Sequence, residues 1–415
     1  AIRSAANSDE WVFVNPGWEG VLAMSMAQVI ISKGLAKNQA AVDALTDGQG
    51  RDWSPGFTLD QAAERTGVSA KRIEELAQRF ATETPSLAIG GGSAAAHTNG
   101  LYNLKAIYSL NYLVDSVNRP GGLIFNPAFP LADVPSTAAG ASFQDWAKLR
   151  DELDGGQVNL VLVRGANPVY GLSALDFGGA LRKVGYVVSF SSYMDETAAL
   201  ADLILPEHTS LEDWGDDVPD PGPGYETLGL QQPVVKPLFD TRSFADVLLT
   251  VAQELQMEKA LLWNTFQEML QEGARRLYDG GRPGMVNAAD FAGFWRGLLM
   301  RGGWWDIQAT SQEAPIIPPP LSTNILSPEF SSGDYYLMPF PHISLTDGRG
   351  ANLLWLQATP DPLTTMVWKS WVEMNPRTAE ELGLRLGDMV ELETADDRRL
   401  ELAVYPHPAA PPDAI

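Results

Sequence analysis

At 415 residues, 45% of them apolar, and with a formal charge of −23, the chain can bury several cores and is too long for one compact domain, so roughly two or three domains are expected. Acidic residues run along the whole length instead of gathering in a tail, which argues against a nucleic-acid or anionic-membrane surface and leaves solubility and cationic protein partners as the plain reading. There is no cysteine, which excludes an iron–sulfur cluster, a thiolate-bound metal or a covalently attached c-type haem held by these residues alone.

The opening AIRSAANSDEWVFVNPGWEG lacks both a start methionine and the basic-then-apolar pattern of a signal peptide. Both this end and the closing AAPPDAI are expected to continue into a longer chain. Trp11 to Val14 reads as a short strand, Pro16-Gly17 as a turn, and Val21 to Lys33 as an amphipathic helix stopped by Gly34. After a Gly-rich loop, Thr58 and Ser69 stand as N-caps of two helices joined at Gly67. The pair has the outline of a helix-turn-helix, but Lys71, Arg72 and Arg79 alone would meet phosphates, so a packing role is expected and no nucleic-acid partner. Ser86 to Ile89 then reads as a strand running into Gly90-Gly91-Gly92-Ser93. A helix from Asn99 to Val114, the loop Asn118 to Gly122 and a Pro/Ala-rich connector from Asn126 to Ala141 follow.

A second α/β unit begins near Asp151. Its first strand lies in VNLVLVRGANP, Val158 to Pro168, and ends in a turn where Gly165 lets a ligand approach, Asn167 offers hydrogen bonds and Pro168 fixes the backbone. A helix near Ala174 to Val184 and the strand Tyr186 to Phe190 complete a βαβ crossover with parallel strands. Ser191, Asp195 and Thr197 form a polar turn at that strand's end, and the run Glu196 to Gly215, ETAALADLILPEHTSLEDWG, carries a third strand, Leu203 to Leu205. Turns at the carboxyl ends of parallel strands form the crevice that holds nucleotide-like ligands, so Gly165, Asn167, Pro168, Ser191, Asp195 and Thr197 are the candidate cofactor-binding residues. Plain helix capping by Asp195 and Thr197 is the competing role.

Beyond Trp214 an acidic, Pro-rich stretch carries Asp216, Asp217, Asp220 and Glu226 with no basic residue before Lys236, a poor cradle for a pyrophosphate. Ser243 to Leu255 reads as a helix, an aromatic, Gly-rich region reaches Trp304-Trp305, and Pro315 to Pro320 is a linker. Phe129, Leu131, Trp304 and the Ile316-Ile317 pair are expected as partner-facing anchors on the connectors. The last segment reads as strands at Tyr335 to Phe340 and Leu353 to Gln357. A short helix from Asn375-Pro376 to Gly383 follows, then Gly387-Asp388 before an alternating strand. Trp355, Trp368 and Trp371 are expected as core or interface anchors. The expected organisation is a Rossmann-like α/β domain over 1–142, a second Rossmann-like α/β unit over 143–260, a helical and linker region over 261–334 and a β-barrel-like domain over 335–415. His97, His208, His342 and His407 have no ligand spacing, so no metal site is expected, and no catalytic residue is assigned. No apolar run reaches the ~20 residues that span a bilayer.

In order and wording, the threonine-glycine-valine turn, the glycine turn with its long helix, the RGANP and ETAALADLILP runs, and the Asn375 to Thr394 segment resemble the molybdopterin (dimethyl sulfoxide reductase-like) oxidoreductase family. The phrase LQQPVVKPLFDTR, Leu230 to Arg242, is similar to the B subunits of alternative complex III, a quinol-oxidising respiratory complex. The resemblance implies a fold of Rossmann-like parallel-sheet domains followed by a double-psi β-barrel. It also implies a cofactor-less scaffold with a vestigial crevice, iron–sulfur clusters in a further C-terminal domain of the same subunit, and a multihaem cytochrome c subunit and membrane quinol-binding subunits as partners. The place implied is the periplasmic face of the cytoplasmic membrane, peripherally attached. The alternative implied by the wider family is a catalytic subunit of a polysulfide- or thiosulfate-reductase-like enzyme holding molybdenum bis-guanine dinucleotide.

Overall fold

The computed structural model describes residues 7–127, 130–131, 140–220, 222–257, 261–310, 327–329, 333–395 and 397–415. Two compact units divide the chain. The first comprises Ala1–Phe125, Glu313–Thr346 and Trp355–Ile415, and the second Asn126–Gln312 with Asp347–Leu354.

The first unit opens with α1 (Glu19–Ser32), α2 (Gln39–Thr46), α3 (Leu59–Thr66), α4 (Ala70–Thr82) and α5 (Gly100–Leu113). Helix α1 is apolar nearly all round, as a central helix must be, and packs on α3, α4 and α5. Thr58 and Ser69 cap as the sequence predicts. The Thr58 hydroxyl accepts from Gln61 N–H while Gln61 Oε1 accepts from Thr58 N–H, a reciprocal capping box. Gly67 ends α3 at φ +74°, a left-handed turn open to glycine, and lets Ile73 and Ala77 of α4 enter the core beneath. Arg72 pairs with Glu10 and Glu75, and Arg79 with Glu10 and Glu83, so these cations already have carboxylate partners.

Two expected strands are missing among the described residues. Trp11 to Val14 and Ser86 to Ile89 belong to no ladder, and the part of the chain up to Phe125 is helical apart from one isolated bridge, Val117 to Leu123. Their sequences favour strands, but a strand exists only when another supplies the opposite row of hydrogen bonds.

The second unit begins with α6 (Phe143–Asp154), set by a Ser142–Asp145 capping box, and then β1 (Leu160–Val163), α7 (Pro168–Gly171), α8 (Phe177–Leu181), β2 (Tyr186–Ser189) and β3 (Leu203–Ile204). The three strands form a parallel sheet in the order β1-β2-β3, with Leu160 opposite Tyr186 and Val188 opposite Leu203. The central strand β2 buries Val187, Val188 and Ser189, as a parallel strand covered on both faces does. Asp202 locks the β3 side by accepting from Val187 N–H at 2.7 Å.

An antiparallel sheet, β4 (Gly215–Asp217), β5 (Tyr225–Gln231) and β6 (Gly303–Thr310), follows with α9 (Phe244–Glu254), α10 (Phe266–Asp279) and α11 (Phe291–Arg301) between its strands. Trp304, expected on a partner-facing connector, lies in β6 and is fully buried beside Phe294, Leu298 and Leu277. Its indole N–H donates to Arg282 C=O at 3.0 Å. Leu131 packs on the same core, while Phe129, Ile316, Ile317 and the Pro315 to Pro320 linker lie outside the described residues.

The chain ends in the first unit with β7 (Trp371–Met374), α12 (Pro376–Glu381), β8 (Met389–Glu393) and β9 (Arg399–Pro406). Strand β9 pairs parallel with β7 and antiparallel with β8. Asn375 caps α12 through Arg377 N–H, at the place the sequence indicates. The expected strand Tyr335 to Phe340 is reduced to a bridge between Tyr336 and Ala414, and Leu353 to Gln357 yields a helical turn, Leu354–Gln357, instead of a strand. A short apolar run cannot separate those two outcomes by periodicity. Trp355 is 88% exposed and Trp368 69%, so neither is a core residue; Trp371 is half-buried, with its indole on Glu373. No helix among the described residues is long and apolar enough to cross a membrane.

Candidate functional site

The candidate crevice lies at the carboxyl ends of β1 and β2. Parallel pairing puts both strand ends on the same side of the sheet, so the turn after Val163 and the turn after Ser189 must lie side by side. Gly165 takes φ +62° at the first turn, a left-handed conformation that reverses the chain toward α7.

Asn167 is the link between the turns. Its Nδ2 donates to Glu196 Oε2 at 2.6 Å, and its Oδ1 accepts from the Thr197 hydroxyl at 2.7 Å and from Tyr170 N–H at 3.4 Å. Thr197, fully buried, accepts in turn from Val169 N–H at 3.2 Å. Pro168 sits in the first turn of α7, where it has no N–H to leave unpaired. On the other side, Asp195 Oδ1 caps Ala198 N–H at 2.7 Å, and Asp195 Oδ2 accepts from the Ser191 hydroxyl at 3.0 Å. The hydrogen bond from Asn167, with help from its own backbone N–H, holds the Glu196 carboxyl below the usual range, so it is ionised at neutral pH.

All six residues named from the sequence are therefore placed on the two turns, and Asn167 and Thr197 join them. The cross-links between the turns are not legible in the sequence. Glu196, in particular, was legible only as part of a motif, and its role as the acceptor for Asn167 needs the turns to meet. Arg164 Nε donates to Glu207 Oε2 at 2.7 Å, and the guanidinium lies 4.5 Å from the Phe244 ring centroid. Glu226 meets Arg282, which also covers the Trp304 ring. That cation stands far along the chain from the acidic stretch and could not be assigned to it by sequence proximity. Asp216, in β4, has its carboxyl raised above the usual range, chiefly by burial.

The guanine dinucleotide implied by the family resemblance would bring a pyrophosphate to such turns, and the groups present do not fit it. Val169 and Tyr170 N–H, the first free amides of α7, already donate to Thr197 and Asn167. Arg164 is engaged by Glu207, and Asp195 and Glu196 add two carboxylates where charge of the opposite sign is required.

The fold and this crevice define a domain of the molybdopterin-enzyme type. Residues 3–254 match the family described as molybdopterin oxidoreductase, and the chain belongs to that family. It is 32% identical over 280 residues to the menaquinone reductase molybdopterin-binding-like subunit of Nitratidesulfovibrio vulgaris, covering 66% of this chain and 39% of that one. It is 22% identical to the thiosulfate reductase molybdopterin-containing subunit of Salmonella typhimurium, covering 99% of this chain and 62% of that one. Acetylene hydratase from Pelobacter acetylenicus shares the fold, with a TM-score of 0.62 at 17% identity over 99% of this chain and 64% of that one. The match thus spans about two fifths of the first of these curated relatives and less than two thirds of the second.

Proposed function

We propose that this chain is the molybdopterin-like domain of a subunit in a quinone-linked respiratory complex, serving as a scaffold without a pterin cofactor of its own. The observation that carries the reading is the closure of the crevice by its own side chains. Asn167 lies between Glu196 and Thr197, and Arg164 lies on Glu207. The menaquinone reductase relative, whose name marks it as molybdopterin-binding-like, supports the same class of complex. The wording of Leu230 to Arg242 adds the resemblance to quinol-oxidising alternative complex III.

In this reading electrons pass from quinol in membrane subunits through iron–sulfur clusters, carried by a further domain of the same subunit, to a multihaem cytochrome c. This domain holds those parts in register at the periplasmic face, and a double-psi β-barrel closes it. The rival is a molybdenum-bearing catalytic subunit, which the match to the thiosulfate reductase subunit, over 99% of this chain and 62% of that one, keeps as the second reading. Elemental analysis and pterin release on denaturation of the assembled complex separate the two. The scaffold predicts no molybdenum and no pterin assigned to this subunit; about one molybdenum per chain overturns it. Replacing Asn167 with alanine is expected to leave quinol oxidation by the assembled complex nearly unchanged, whereas abolished turnover in a properly assembled variant supports the rival.

A further inference from the structure

Asp347–Leu354 groups with the second unit, although the residues on either side of it, up to Thr346 and from Trp355, group with the first. It meets the first crevice turn at Tyr170. Gly348 lies against that side chain so closely that a Cβ there would overlap the Tyr170 hydroxyl and stand 2.8 Å from two ring carbons. Gly348 also takes φ +98°, a left-handed backbone that residues with a side chain rarely adopt. One requirement of space and one of conformation therefore fall on the same residue. Tyr170 in turn belongs to the crevice, since its N–H donates to Asn167 Oδ1 at 3.4 Å and the next N–H, of Gly171, donates to Asn167 C=O at 2.9 Å.

The loop is shaped by its own bonds. The Asp347 carboxylate accepts from Arg349 N–H at 3.2 Å, from Arg349 Nε at 2.9 Å and from Arg349 Nη2 at 2.8 Å. Ala351 N–H donates to Gly348 C=O at 2.9 Å and Leu353 N–H to Gly350 C=O at 3.0 Å, with Gly350 buried. A loop ordered in this way loses little further freedom when it seats on a neighbour. The neighbour needs the support. Helix α7 is a single turn, Pro168–Gly171, and one turn fixes more backbone dihedrals than its hydrogen bonds repay, so contacts from outside must hold it. Asn167 and Thr197 supply them at its start, and Gly348 supplies one at Tyr170.

We propose that Asp347–Leu354 is a clasp on the crevice: Gly348, seated on Tyr170, fixes α7 and with it the turn that Asn167 ties to Glu196 and Thr197. A segment remote in sequence thus completes the closure that the two turns begin. The inference rests on the reading of the crevice as closed by its own side chains, and its fate is separable from it. Molybdenum content decides the scaffold reading and leaves the clasp untouched, whereas the seating of the loop decides the clasp and leaves the metal untouched.

Tryptic cleavage after Arg349 in the full chain tests it, because the bond to the buried Gly350 enters a protease only when the loop leaves its seat. Gly348→Ala should raise that cleavage by about 10-fold or more, measured against cleavage after Arg276 within α10, which reports general unfolding of the same unit. Tyr170→Ala removes the seat and should raise it by a similar factor. Adding Gly348→Ala to Tyr170→Ala should then change cleavage by less than about 3-fold, because a loop already off its seat has neither the collision nor the strained backbone to relieve. An effect of Gly348→Ala that is equal in both backgrounds overturns the proposal, since Gly348 would then answer to backbone conformation alone. Hydrogen exchange of the Gly171 amide reads the crevice itself. Tyr170→Ala should speed it by about 10-fold, and an unchanged rate overturns the proposal even if the loop is cleaved. Tyr170 is 47% exposed, so its variant decides the matter should Gly348→Ala fail to fold.

Discussion

The crevice at the carboxyl ends of β1 and β2 and the extended segment Ser86 to Gly90, which belongs to no sheet, are finished in opposite ways. In the crevice, Asn167, Thr197, Asp195 and Ser191 satisfy one another and the nearby backbone amides. In that segment, Asn111 and Tyr108 satisfy one row of backbone groups, and the other row has no partner among the described residues. A polar site whose groups are spent internally contributes to folding and has few left for a ligand. A half-paired backbone retains directional bonding capacity that only another chain segment matches. The contrast makes the crevice a structural joint and leaves the segment Ser86 to Gly90 half-paired among the described residues.

The largest expected effect on the isolated chain is at the joint. Asn167→Ala removes the acceptor of a fully buried threonine hydroxyl and the donor to Glu196, and should lower stability by about 1–3 kcal/mol in urea unfolding. A loss indistinguishable from zero would mean that the two turns are not coupled and that the polar groups remain available to a ligand. Gly165→Ala should cost about 1–2 kcal/mol, because φ +62° places a Cβ in the left-handed region although space around it is open.

Glu19 sharpens the comparison from a third place, the start of α1. Burial raises its carboxyl above the usual range, and its Oε2 is buried without a hydrogen-bond partner among the described residues. A carboxyl raised in the folded state contributes stability that is fully present below its unfolded pKa and is lost as pH rises through the folded one. Glu19→Gln should therefore melt higher than wild type at pH 8, with the gap closing toward pH 4. A gap that widens on acidification would reverse the assignment. Glu196, held low by Asn167, runs the other way. Its contribution is present above the ordinary carboxylate range and lost as pH falls through the depressed value, and exposure keeps it small. The smallest effect belongs to Ser86 to Gly90, where Ile89→Ser should change the stability of the isolated chain by no more than about 0.5 kcal/mol. A larger loss would show that Ile89 already supports the core.

What the sequence by itself determined was whatever depends on neighbours along the chain. The caps at Thr58, Ser69 and Asn375, the left-handed stop at Gly67 and the strand–helix–strand order from Val158 to Ile204 are readable because a cap or a turn closes within a few residues. The order of the strands also located the crevice, since parallel pairing leaves one place for the two turns. Only the tertiary structure decided which extended segments became strands. Trp11 to Val14 and Ser86 to Ile89 have strand composition without a ladder, while Trp304, expected on a connector, lies in a strand, Gly303–Thr310, that pairs with β5 and buries it. It also decided the partners of Asn167, Arg164 and Glu226, which come from residues remote in sequence. The reason is common to both outcomes: ladders and buried polar pairs are satisfied by groups whose proximity is created by folding, so composition states the need for a partner but not which segment meets it.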